Sequence, residues 1–148
     1  MNTKENKYRK ALKNYSTGRG ADSIINKIQS LLVDFGAKGI GFEYDDQGRI
    51  SGLFFKMIIN DNDQMIKVPC NWQKTKLVLQ RQRYFKDDYH AYRVALANVE
   101  DWLDAQMAYI ATEFVKPEEI FLPYFMNSKG QTLFEHFENN KFLLPEPA

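Results

Sequence analysis

Between Ala21 and Gly36 the apolar residues recur every three or four positions. Ile24, Ile28, Leu31, Leu32 and Phe35 form one stripe, Asp22 or Ser23 is placed to cap the start, and Gly36 suits the position just past the end, so the segment reads as an amphipathic helix. The period then changes to two. Ile40, Phe42 and Tyr44 alternate up to the turn sequence Asp45-Asp46-Gln47-Gly48, and Leu53, Phe55, Met57 and Ile59 alternate after it, which predicts a hairpin. A second turn at Asn60–Asp63 leads into Ile66, Val68 and Cys70, with Pro69 marking a strand end or an edge. Phe54 and Ile58 fall on the opposite face of the middle strand, which predicts that this face is covered as well, by a helix or by a partner chain.

The second half of the chain returns to helical spacing. Trp72–Phe85 reads as a basic helix, and Asp87 or Asp88 can cap a long helix running to about Phe114, with Tyr89, Tyr92, Leu96, Val99, Leu103, Gln106 and Ile110 on one band and Ala95, Trp102 and Tyr109 beside it. Pro117 fits the first turn of a short helix ended by Pro123, and a turn at Asn127–Gly130 precedes a last amphipathic piece carrying Leu133, Phe134 and Phe137. The expected fold is α+β: a helix, a three-stranded antiparallel meander, then mainly helices, the long one covering the sheet. The expected organisation is a basic flexible tail over residues 1–20, one domain over 21–140 and a C-terminal tail over 141–148. In that packing Trp102 belongs to the core, and its replacement by alanine is expected to cost about 3–5 kcal/mol.

Composition narrows the setting. The chain has 148 residues, 44% of them hydrophobic, as a single folded domain requires. One cysteine, Cys70, cannot form an internal disulfide, the first residues lack the apolar core of a secretory signal, and no run is long and apolar enough to cross a membrane, so a cytoplasmic protein with no membrane association is expected. The net charge of +1 conceals a strong segregation. Residues 1–20 hold six bases against one acid and residues 71–93 six against two, while residues 94–148 hold three against nine. The basic stretches are interleaved with aromatic residues, a mixture suited to single-stranded nucleic acid, because cations neutralise phosphates while rings stack on bases. The candidate contacts are Lys7, Arg9, Lys10, Lys13 and Arg19 in the first stretch, and Lys74, Lys76, Arg81, Arg83 and Lys86 in the second. As parts of a tail, Lys10, Lys13 and Arg19 are expected to be replaceable with little effect on stability.

Other chemistry is thin. Gly18-Arg19-Gly20, just before a helix, offers a weak anion site made of freed backbone, a cation and helix amides; the alternative is a plain hinge. It lacks the preceding strand and third glycine of a dinucleotide fingerprint, and it lacks the Gly-Lys-Ser/Thr of a P-loop. His90, His136 and Cys70 lie at no metal-ligand spacing, the acidic turns lack the ligand pattern of a calcium loop, and no nucleophile motif is present. No metal, cofactor or catalytic residue is expected, and the reading leans away from an enzyme.

The stretch GAKGIGFEYDDQGRISGLFFKM, followed by YRVALANVEDWLDAQMAYIATEFVKPEEIFLPYF, resembles a family of small proteins carried by bacteriophages and prophages. The likeness rests on the Tyr44-Asp45…Gly48 hairpin, the Asp101-Trp102…Ala105-Gln106 helix and the Phe121-Leu122-Pro123-Tyr124 stop. It implies a mobile-element origin and action inside a bacterial host, and it transfers no site residue. Two functions follow: a nucleic-acid-binding accessory protein, or a protein-binding inhibitor of a host defence system. Nucleotide or small-anion binding at the helix start after Gly20 is a third. The surplus of apolar surface on the sheet predicts a homo-oligomer, with a dimer the simplest form.

Overall fold

The computed structural model describes residues 9–141 and has the expected α+β architecture. Helix α1 (Ala21–Asp34) is followed by strands β1 (Gly39–Tyr44), β2 (Ile50–Ile59) and β3 (Asn62–Pro69), and then by helices α2 (Trp72–Arg81), α3 (Asp88–Ala111), α4 (Pro117–Phe121) and α5 (Leu133–Asn139). The three strands form one antiparallel sheet in the order β1-β2-β3.

Local chemistry sets the ends of these elements. α1 buries Ile24, Ile28 and Leu32, one residue per turn, and ends where Gly36 adopts φ +99°. There the amides of Gly36 and Ala37 bond back to Val33 and Leu32, a cap that a side chain at residue 36 would strain. Its start lies earlier than Asp22 or Ser23. Gly20 is the N-cap, and in place of a side-chain cap the hydroxyl of Tyr89 accepts from the amide of Ala21. The β1–β2 turn is organised by Asp45, whose carboxylate accepts from the amides of Gln47 and Arg49. In the β2–β3 turn Asn60 and Asp61 both take positive φ, the two-residue geometry that matches strand twist.

Leu53, Phe55 and Met57 of β2 and Ile66 and Val68 of β3 line the inner face of the sheet. Helix α3 lies over that face, with α1 and α2 packed against its two flanks. Tyr92 of α3 accepts a hydrogen bond from the amide of Ile50. Because it is enclosed on several sides, the N-terminal half of α3 buries nearly every residue from His90 to Ala97. The core tryptophan is Trp72, at 1% exposure. Trp102 is only half-buried at the rim, edge-on to Phe121 and Tyr124.

Two helices stop short of the expected points. α2 ends at Arg81 rather than Phe85, because Arg83 takes φ +64° and the amides of Tyr84 and Phe85 turn back to the carbonyl of Leu79. α3 ends at Ala111 rather than Phe114, with Glu113 at φ +62°.

The outer face of the sheet is only partly covered. Lys67 pairs with Glu43 and overlies the ring of Phe54, and Lys56 pairs with Asp63, while Ile58 and Met65 are exposed. The free edge of β3 is met by Phe125 and Met126, whereas β1 pairs with no strand but β2 among the described residues. Among the same residues no helix is long and apolar enough to cross a membrane.

Candidate nucleic-acid interface

The segment expected to hang free as a tail is, from Lys10 to Gly20, a strap docked across α3. Its anchors are polar and come one after another. The side-chain amide of Gln82 donates to the carbonyl of Lys10 at 2.8 Å and accepts from the amide of Leu12 at 2.9 Å. Asn14, at φ +68°, donates to both Asn98 and Asp101. His90, 1% exposed, lies with Nε2 2.6 Å from the carbonyl of Tyr15; since a carbonyl only accepts, Nε2 carries the proton. Arg93 donates to the carbonyls of Thr17 and Arg19. Leu12 and the Tyr15 ring add apolar contact, the latter stacked at 4.2 Å on Tyr84.

The nine candidate cations among the described residues fall into two groups. Three are engaged by acids of the same molecule: Lys13 by Asp101, Arg19 by Glu100 at 2.7 Å, and Lys76 by Asp88 at 2.8 Å. The Arg19 pair differs from an ordinary surface bridge because the Glu100 side chain is only 10% exposed, so that carboxylate depends on its partner. Gly18-Arg19-Gly20 is therefore occupied as a joint between strap and helix. Its arginine is paired, its two carbonyl neighbours are held by Arg93, and neither glycine uses the left-handed conformation.

The second group stays open to solvent. Arg9, Lys10, Lys74, Arg81, Arg83 and Lys86 are exposed and take part in no ion pair among the described residues. Gln82 clasps the Lys10–Leu12 segment against the C-terminal end of α2, which places Arg9 and Lys10 beside Arg81 and Arg83 although about seventy residues separate them in sequence. Lys74 and Arg81 lie two helical turns apart on the same exposed side of α2, roughly 10 Å along its axis. Tyr84 is 40% exposed and backed on one side by Tyr15. Arg81, Arg83 and Lys86 thus lie within three residues of this braced ring along the chain. Lys7 lies outside the described residues.

No known family, curated protein or solved structure matches this chain. The assignment of a role rests on the site itself.

Sequence pattern picked out the cations but not what arranges them. Gln82 and His90 each act through one polar side chain on a distant stretch of backbone, and Asn14 on the distant side chains of Asn98 and Asp101, which leaves no periodic trace. Arg49 was equally silent. Its guanidinium lies 4.8 Å from the Trp72 ring centre and 5.8 Å from that of Tyr92, in a groove lined by α1, the β1–β2 turn and the first residues of α3.

Proposed function

We propose that the protein is a non-enzymatic nucleic-acid-binding accessory protein that takes up a single strand on the patch formed by Arg9, Lys10, Lys74, Arg81, Arg83 and Lys86, with a base stacking on Tyr84. One observation carries the reading: the Gln82 clasp unites two basic segments, distant in sequence, into one surface of cations without acidic partners. Six such cations give a strongly salt-dependent interaction, since each neutralised phosphate of a single strand contributes about 0.7 to the slope of log affinity against log salt. The proposed setting is the interior of a bacterial host, as the resemblance to phage-encoded proteins would imply.

Fluorescence anisotropy of a labelled oligonucleotide across a salt series tests it. Replacing Arg81, Arg83 and Lys86 by alanine should flatten the slope by about two units. Replacing Lys13 should leave the slope nearly unchanged, because its charge is already met by Asp101. Absence of binding at low salt, or a slope indifferent to the triple variant, rejects the proposal.

The outer face of the sheet favours a second reading as a protein-binding inhibitor. Ile58 of β2 is 55% and Met65 of β3 40% exposed there, and such a surface suits a protein partner, either a host defence protein or a second copy of this chain. Capture of a host protein that is abolished by Ile58→Asp and unaffected by the triple patch variant would decide for it.

A further inference from the structure

A groove of about 590 Å³ runs between the N-terminal half of α1, the β1–β2 turn and the first turn of α3. Its cation is Arg49. The guanidinium rests against Trp72 and Tyr92, and both rings are themselves fixed: Trp72 donates through Nε1 to Asp45 at 2.8 Å, and the Tyr92 hydroxyl accepts from the amide of Ile50 at 3.0 Å. One nitrogen of Arg49 donates to Gln47. No carboxylate lies within ion-pair distance of it among the described residues. This charge is therefore held in place by rings and left without a counter-ion, the arrangement in which a planar fork of donors best receives a phosphate.

The rest of the groove supplies different chemistry. Tyr44, 60% exposed, and Tyr89, 48% exposed, line it as stacking surfaces. Asp22, Asn26 and Gln29, spaced to share one side of α1, bring one carboxylate and two amides, the groups that bind ribose hydroxyls and base edges. The volume falls within the range of small-ligand sites. The amide of Ala21 at the helix start is taken by Tyr89 and contributes nothing here.

We propose that this groove is a mononucleotide-binding site. Arg49 holds the phosphate, Tyr44 stacks on the base, and Asp22 accepts from the ribose. The site is distinct from the basic patch, since none of the residues that line it belongs to that patch.

Isothermal titration calorimetry with adenosine monophosphate, adenosine and inorganic phosphate tests the assignment on the full chain. The monophosphate should bind, and adenosine and phosphate should each bind at least about tenfold more weakly, because each lacks one of the two main contacts. Tyr44→Ala, at an exposed position, should weaken the monophosphate roughly fivefold or more, the lower end of what stacking on one ring contributes. Arg49→Lys should weaken the monophosphate and leave adenosine unchanged. The Arg81, Arg83 and Lys86 triple variant should bind the monophosphate like the unmutated protein. No binding at millimolar monophosphate, phosphate alone binding equally well, or loss in the patch variant but not in Tyr44→Ala would each overturn the proposal. Because Tyr44 is surface-exposed, the outcome does not hinge on Arg49→Lys remaining folded.

Discussion

Two tryptophans with the same side chain have different roles here. Trp72 is 1% exposed and anchors the start of α2, its Nε1 tied to Asp45 and its ring covered by Arg49. Trp102 sits at the rim against Phe121 and Tyr124. Trp72→Ala should therefore cost about 3–5 kcal/mol in denaturant unfolding, and Trp102→Ala about 1–3 kcal/mol, reversing the assignment that helical periodicity favours. A larger loss at Trp102 than at Trp72 would show that the rim is the tighter packing site. Asp45 adds a pH dependence. The hydrogen bond from Trp72 and the amide of Arg49 hold its carboxyl below the usual carboxylate range. A group depressed on folding stabilises the protein above its unfolded pKa, and that contribution is lost as pH falls through the folded value. Asp45→Asn should then be less stable than the unmutated protein near neutral pH, with the gap closing in acid; chemical denaturation at about pH 7 and about pH 3 measures both. Cys70 is a quieter case: burial pushes its thiol up to about 12, in keeping with a small core residue and not a nucleophile.

At the scale of elements, the parts with a period were legible and the part without one was not. α1 and the two hairpins follow from spacings of three to four or of two, because one face of each is buried against a common core, while α3 follows from its long apolar band although its first half is enclosed on several sides. The strap has no such face. Lys10 to Gly20 is rich in lysine, asparagine and glycine, and its anchors are isolated hydrogen bonds, ion pairs and two apolar side chains that meet residues about seventy to ninety positions away, so composition makes it look like a tail. For the same reason the candidate site was half legible: its charges could be counted, but their alignment depends on Gln82. That dependence can be measured. Gln82→Ala removes no charge, yet it should weaken oligonucleotide binding several-fold and speed amide exchange over residues 10–20 while leaving the exchange of α3 near its original rate. Unchanged affinity would mean that the strap keeps its place without the clasp. Arg19→Ala should destabilise the fold by about 1–3 kcal/mol by stranding the Glu100 carboxylate, in contrast to the neutral outcome expected of a tail residue. Thermal or denaturant unfolding indistinguishable from the unmutated protein would show that water meets that charge instead.

Among the described residues, helices cover one face of a three-stranded sheet, the opposite face is only partly covered, and the outer edge of β1 meets no other strand. A dimer that extends the sheet through β1 uses this directly, since the strands can pair about a two-fold axis and cover exposed apolar surface beside them. Light scattering at high micromolar concentration should report twice the chain mass, 17.4 kDa for one copy, and a clean monomer would remove the dimer. The difference between the two sheet edges also limits growth. Phe125 and Met126 occupy the β3 side at its centre, so among the described residues β1 is the strand whose edge meets no other backbone. Two copies joined through β1 would use up both such edges, so that the same edge that could invite a partner would make such an assembly self-terminating, a closed pair instead of the seed of a fibre.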